Sequence, residues 1–163
     1  PYTGLLNAGL HAIGIKQEIF WLTSEALVWP SIVMVTFWWN TGYYMLIYLA
    51  GLQEIPAEQY EAAAIDGATG LQRIMRITIP CLKRTHLLVL FLQAIASFKI
   101  FGQVFLITSG GPAGASRTLL QYVYETGFTT FQIGQASAAS FVLLLVILSV
   151  SIVQLKIMNR QEA

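Results

Sequence analysis

Charged side chains are scarce in this chain: Asp, Glu, Lys and Arg make up 10% of its 163 residues, whereas 56% are hydrophobic. A soluble domain carries roughly a quarter charged residues, so much of the chain is expected to lie in lipid. The net charge is only +1 and no basic run occurs, which argues against nucleic acid as a partner. Cysteine is represented by Cys81 alone, so neither an internal disulfide nor a cysteine-based metal site can form. Cys81 reads as a small apolar filler. His11 and His86 stand isolated, without metal-ligand spacing. No Gly-rich phosphate loop ending in Lys-Ser or Lys-Thr is present, and the apolar stretches hold no paired carboxylates or nucleophile elbow. No catalytic residue, metal or cofactor is therefore assigned. An opening methionine and a basic-then-apolar leader are also lacking. Pro1 reads as the start of a fragment, for which an odd number of membrane crossings is no objection.

What the chain does have is long apolar runs. Residues 26–52 (ALVWPSIVMVTFWWNTGYYMLIYLAGL) contain no charge and exceed the ~20 residues that cross a bilayer core as a helix. Residues 134–155 are likewise uncharged, with Lys156 and Arg160 directly after them. Between these, residues 87–108 are apolar enough to span but enclose Lys99. The expected fold is all-α: a polytopic transmembrane helical bundle with three spans, formed by 1–163 as a single unit. Basic residues set its orientation. Arg73, Arg76, Lys83 and Arg84 in 53–86, with Lys156 and Arg160 in the tail, oppose only Lys16 and Arg117. The loop 53–86 and the C-terminus are expected to be cytoplasmic, and 1–25 and 109–133 to face outward. Trp21 and Trp29 suit the outer headgroup region, and Pro30 is expected in the first turn of the first span.

The loop 53–86 changes character within a few positions. Pro56 suits a helix start, and AEQYEAAAID holds good helix formers until Gly67 turns the chain. Leu71, Ile74 and Met75 then recur at three- and four-residue spacing, with Arg73 and Arg76 elsewhere, as in a second short amphipathic helix. Pro80 is expected to end it. Periodicity alone leaves open whether this pair packs on its own bundle or meets a partner.

The residue order is more specific: Glu61, Ala62, Ala63, three residues, Gly67, nine residues, then Ile77, Thr78, Ile79 and Pro80. This resembles the signature of inner-membrane permeases of binding-protein-dependent ABC importers, with Ile79 where Leu is usual, a swap that keeps apolar volume. The resemblance implies a coupling helix that docks in a groove of an ATPase subunit. Ala62 and Ala63 would allow close approach, Gly67 a sharp turn, and Glu61 and Asp66 would offer charges. It further implies two ATP-binding ABC subunits that bind and hydrolyse the ATP, a second and different permease subunit, and an extracytoplasmic solute-binding protein. The implied location is the cell inner membrane. Flanking segments (GLLNAGLHAIGI with Trp21; WWNTGYYMLIYLAGLQEIP; SFKIFGQVFLITSGGP; Thr118, Tyr122, Tyr124 and Phe128) are similar to the sugar-permease branch of that family. Since such permeases have six or more spans, this chain would supply the last three.

Polar groups inside a bilayer face protein or water. Thr36, Asn40, Tyr44 and Tyr48 recur every four residues on the first span and suit either sugar binding or contact with a neighbouring helix. Asn40 and Tyr44, together with Lys99 and Gln103 one turn beyond it, are the candidates for the solute pathway. Lys99 has two other readings, a carboxylate partner on another helix or snorkelling outward. The spacings Ala136/Ser140 and Gly134/Ala138 suggest close helix packing. SGGPAGAS reads as a plain turn, or as a place where Gly110 and Gly111 let a binding protein approach. Three functions compete. The first is a sugar importer permease. The second is a permease for another solute such as a polyamine, amino acid or phosphate ester. The third is a channel or scaffold component that uses no ATP.

Overall fold

The computed structural model describes the backbone of residues 4–162 and the side chains of 4–158. The Arg160 side chain, counted above for orientation, lies outside them. The described residues form helices and no strand: α1 (Leu5–Ala12), α2 (Glu25–Gln53), α3 (Ala57–Ile65), α4 (Gly70–Arg73), α5 (Ile79–Cys81), α6 (Lys83–Phe98), α7 (Gly102–Ile107), α8 (Leu119–Tyr124) and α9 (Ile133–Glu162). Single π-turns occupy Ile74–Thr78 and Glu125–Thr129. The fold class is all-α.

The uncharged run 26–52 lies inside α2. Because the helix starts at Glu25, Pro30 is its sixth residue, in the second turn rather than the first. The amide that would bond the Ala26 carbonyl is missing there, yet the helix continues. Beside it, the Ser31 hydroxyl donates to the carbonyls of Leu27 (2.8 Å) and Trp21 (2.9 Å). Trp21 in turn donates from Nε1 to Asn7 Oδ1 at 3.0 Å, which ties α1 to the start of α2.

The stretch 87–108, expected as one crossing, is broken. α6 stops at Phe98, the Lys99 amide closes the end on the Ala96 carbonyl, and α7 restarts at Gly102. Within the break, Thr118 donates its hydroxyl to the Ile100 carbonyl at 3.1 Å, giving that part-buried acceptor a partner outside the helix. A second expectation fails at Pro80. It does not end the loop helix, since α5 runs on to Cys81 and the chain bends by 61° before α6. The π-turn explains this. The Ile79 amide bonds the Ile74 carbonyl five residues back, so the ladder is already rearranged where the Pro80 amide is missing.

Among the described residues, one helix is long and apolar enough to cross a membrane, α9 over Ile133–Met158. The bent pair Gly70–Cys81 and Lys83–Phe98 passes the same test jointly. With 29 residues, α2 has ample length, about 43 Å at 1.5 Å per residue, but its Trp, Tyr, Asn and Thr residues dilute its apolarity.

Few large side chains are buried. Val28 and Ile32 of α2 and Val104 of α7 make a small cluster against Ile100 and Ala115. Where α2 crosses α6, a Cβ on Gly51 would stand 2.5 Å from Thr85 Oγ1 and 3.0 Å from Leu82 Cδ2. Where the second π-turn meets α9, a Cβ on Gly127 would lie 3.0 Å from that of Ala136. Leu143 of α9 is also buried, but many large apolar groups point outward: Phe37, Trp38 and Leu106 are 74%, 79% and 82% exposed. An apolar exterior of this extent calls for lipid or protein against it.

The turn at 109–116 is more than a plain loop. Ser116 is fully buried; its hydroxyl donates to the Gly111 carbonyl at 2.6 Å and shares a hydrogen bond with Thr108 Oγ1 at 2.7 Å. Trp29 reaches from α2 to donate to the Ala115 carbonyl at 2.9 Å, so it has a specific partner beyond the headgroup role expected of it. Gln121, 1% exposed, donates to Glu125 Oε1 at 2.8 Å, and Glu125 also pairs with Arg117. Gly110 has φ +86°, and a Cβ there would meet Gln121 Nε2 at 2.7 Å. Gly110→Ala is therefore expected to destabilise the protein by about 1–2 kcal/mol, read as a lower thermal midpoint in detergent. An unchanged midpoint would show that this turn tolerates the substitution.

Candidate functional site

Two places gather the sequence-derived candidates. The first is the loop between α2 and α6. α3 starts after Pro56, whose φ −60° and ψ 133° place it at the N-cap, and it ends in a glycine-dependent cap. The Ala68 amide bonds the Ala63 carbonyl and the Gly67 amide bonds the Ala64 carbonyl, with Gly67 at φ +75°. This is a Schellman motif, which puts a left-handed residue just beyond the last helical turn. Nothing lies within 4 Å of where a Gly67 Cβ would sit. Glycine is thus required by its dihedral, not by a close neighbour.

No side chain of α3 is buried. Glu61, Ala62 and Gly67 of the motif, and Asp66 between them, are exposed, while Ala63 is half-buried. Ile65 is 87% exposed and Leu71 68%, adding apolar area beside the carboxylates. Ile77 lies half-buried on the first π-turn, and Pro80 is exposed in α5. After the cap, Thr69 and Gln72 form a reciprocal capping box at the start of α4, and Arg73 Nε donates to the Ala68 carbonyl at 3.2 Å. α3 also touches the segment 74–81: Tyr60 and Thr78 share a hydroxyl hydrogen bond at 2.9 Å, and the Cys81 thiol donates to Gln59 Oε1 at 3.4 Å. Cys81 is exposed and acts here as a donor, which corrects its reading as apolar filler.

The second place is a cleft of about 390 Å³ between α2 and α6. Asn40, Tyr44 and Tyr48 line it from α2, with Phe37 and Met45; Val89 and Gln93 line it from α6. The wall is mainly apolar; its polar groups are the Asn40 and Gln93 amides, the Tyr44 and Tyr48 phenols and the Thr41 hydroxyl. Tyr48 shares a hydrogen bond with His86 Nδ1 at 2.9 Å, and the two rings meet edge to face at 5.1 Å. The structure brings Asn40 and Tyr44 together here and leaves Lys99 and Gln103 out. Lys99 is the exposed residue that closes α6, and Gln103 is half-buried in the first turn of α7. Their place is the break in the helix. Sequence reasoning passed over Gln93 and gave His86 no partner. The signal was the spacing of His86, Val89 and Gln93 along one face of α6. Among the described residues, no group of His, Cys, Asp and Glu is placed to hold a metal.

Comparison with known proteins gives a consistent result. The sequence profile described as "Binding-protein-dependent transport system inner membrane component" matches residues 5–161. The probable ABC transporter permease protein YurN of Bacillus subtilis is 36% identical over 157 residues, covering 96% of this chain and 54% of its own length. The trehalose/maltose transport system permease protein MalF of Thermococcus litoralis is 36% identical over 156 residues, covering 94% and 52%. Among solved structures, a bacterial alginate ABC transporter in complex with an alginate pentasaccharide-bound periplasmic protein superimposes with a TM-score of 0.87 at 27% identity, over 97% of this chain and 55% of that one. The chain spans about half the length of the curated relatives it matches. By name these relatives are transport permeases.

Proposed function

Because the chain belongs to the family of binding-protein-dependent transport system inner membrane components, we propose that it is a permease of an ATP-driven importer and carries a sugar or related solute. The observation that carries this reading is α3, a helix without one buried side chain, closed by a left-handed Gly67 and presenting Glu61, Ala62 and Asp66 to the outside. Such a surface suits a partner groove. In this reading two ABC subunits bind and hydrolyse ATP, and the permease itself hydrolyses nothing. The loop 53–86 and the C-terminus lie on the cytoplasmic side. The runs 26–52 and 134–155, and 87–108 as the broken pair α6 and α7, cross the bilayer as part of a larger bundle, beside a second, different permease. An extracytoplasmic binding protein delivers the solute. Closure of the ATPases moves the helices between outward and inward access.

Sugar is favoured as the cargo by relatives named for trehalose/maltose and for arabinooligosaccharides. Another relative is named for sn-glycerol-3-phosphate, so a phosphate ester belongs in the test. Uptake by the reconstituted transporter of labelled maltose, an arabinose oligosaccharide and glycerol 3-phosphate, each with and without ATP, decides both points. ATP-independent uptake, or uptake of none but the phosphate ester, would overturn the respective part. For the transported sugar, Asn40→Ala and Gln93→Ala are each expected to raise KM about tenfold, the loss of roughly one polar contact to solute. An unchanged KM in both variants would remove the cleft from the pathway.

A further inference from the structure

A helix that passes force must be held to what it moves, and α3 buries no side chain of its own. Its most enclosed side chains, Tyr60 and Ala63, are only half-buried. Besides the chain itself, two side-chain hydrogen bonds join it to the helical segment 74–81: Tyr60 to Thr78 at 2.9 Å and Cys81 to Gln59 at 3.4 Å. Gln59 and Tyr60 are neighbours on α3, while Thr78 and Cys81 lie three apart and so share a face of their helix. The Tyr60–Thr78 bond is part-buried, away from the open surface formed by Glu61, Ala62 and Asp66. It thus lies behind the proposed docking face, not on it.

The register of this contact is set by the backbone. The Ile79 amide reaches five residues back, to the Ile74 carbonyl, and each residue added to a turn rotates the remainder of the helix by about 100°. The π-turn thereby fixes where Thr78 and Cys81 point, immediately before the 61° bend into α6.

We propose that Tyr60 is a positioning residue that locks α3 to the segment 74–81 through the Thr78 hydroxyl, so that α3 and the base of α6 move as one body. The proposal rests on the coupling role given to α3 above. It is tested on the full-length transporter with its ATPase subunits, using ATP with vanadate as the probe and hydrogen exchange of residues 57–66 and 83–98 as the readout. In the parent protein, nucleotide is expected to change exchange in both segments. Tyr60→Phe and Thr78→Val are each expected to keep the response of 57–66 and to reduce that of 83–98 about fivefold, the effect of one hydrogen bond. Thr78→Ser, which keeps the hydroxyl, should restore it, and the double variant Tyr60→Phe/Thr78→Val should be no worse than either single change. An undiminished response of 83–98 in Tyr60→Phe, additive losses in the double variant, or a Thr78→Ser as poor as Thr78→Val each overturn the lock. No response of 57–66 to nucleotide in the parent protein would instead overturn the coupling role itself.

Discussion

Gly67→Pro is expected to abolish ATP-driven uptake, by at least tenfold, while the chain still reaches the membrane in normal amount. Two effects add at this residue. Proline holds φ near −65°, whereas Gly67 sits at +75°, and proline also removes the amide that bonds the Ala64 carbonyl. The lost cap and the forbidden dihedral together cost about 3 kcal/mol or more locally. That is enough to unwind the end of a helix that no buried side chain supports. The damage is confined because nothing packs against the Gly67 Cβ position. Gly67→Ala meets only the dihedral penalty, about 1–2 kcal/mol, and should retain part of the uptake. Uptake per ATP hydrolysed, in proteoliposomes containing the ATPase subunits, checks the pair. Equal activity of Gly67→Pro and the parent protein would refute the coupling role of this turn.

Gly51→Val is expected to have the largest effect on stability. A single Cβ at this residue already stands 2.5 Å from Thr85 Oγ1, 3.2 Å from Thr85 Cγ2 and 3.0 Å from Leu82 Cδ2, and valine adds two methyl groups. Overpacking of this kind costs about 1–3 kcal/mol where side chains can shift. Here the clash falls beside the Tyr48–His86 hydrogen bond, so parting the helices disrupts that bond as well. The expected result is a marked drop in thermal midpoint and in membrane-inserted protein. Thr85→Ala removes both of the Thr85 atoms concerned, and in the Gly51→Ala background it should recover most of the loss. If Gly51→Ala/Thr85→Ala is no more stable than Gly51→Ala, the crossing is not as close as the structure has it.

Parts of this architecture are legible in the sequence because they depend on local chemistry. The end of α3 at Gly67 reflects the need for a left-handed residue, and α9 reflects an uncharged run long enough to span. Other parts are hidden because a distant group decides them. At the break after Phe98, the Ile100 carbonyl is taken by Thr118, a partner 18 residues away in the chain. Pro80 reads as a terminator because its missing amide normally ends a helix, and the π-turn that accommodates it depends on a bond five residues back. In the candidate cleft, the four-residue spacing of Asn40 and Tyr44 marks one face of α2 without saying what faces it. Lys99 stands out in the sequence as a charge inside an apolar run. Once the run is seen to be two helices, the charge sits at an end, where a long basic side chain is ordinary.

The interruption between Phe98 and Gly102 also sets how motion can be shared along this part of the chain. With 16 residues in α6 and six in α7, the two rods measure roughly 24 Å and roughly 9 Å, joined by three residues outside either helix. The short rod is tied sideways to α2 through Val104 against Val28 and Ile32, while the long rod is clasped at its other end by Gly51, Tyr48 and His86. Each arm is thus anchored to a different end of the same 29-residue helix. The joint between them therefore lies between two separate anchorages on α2, and the cleft beside Gln93 lies on the long arm's side of it.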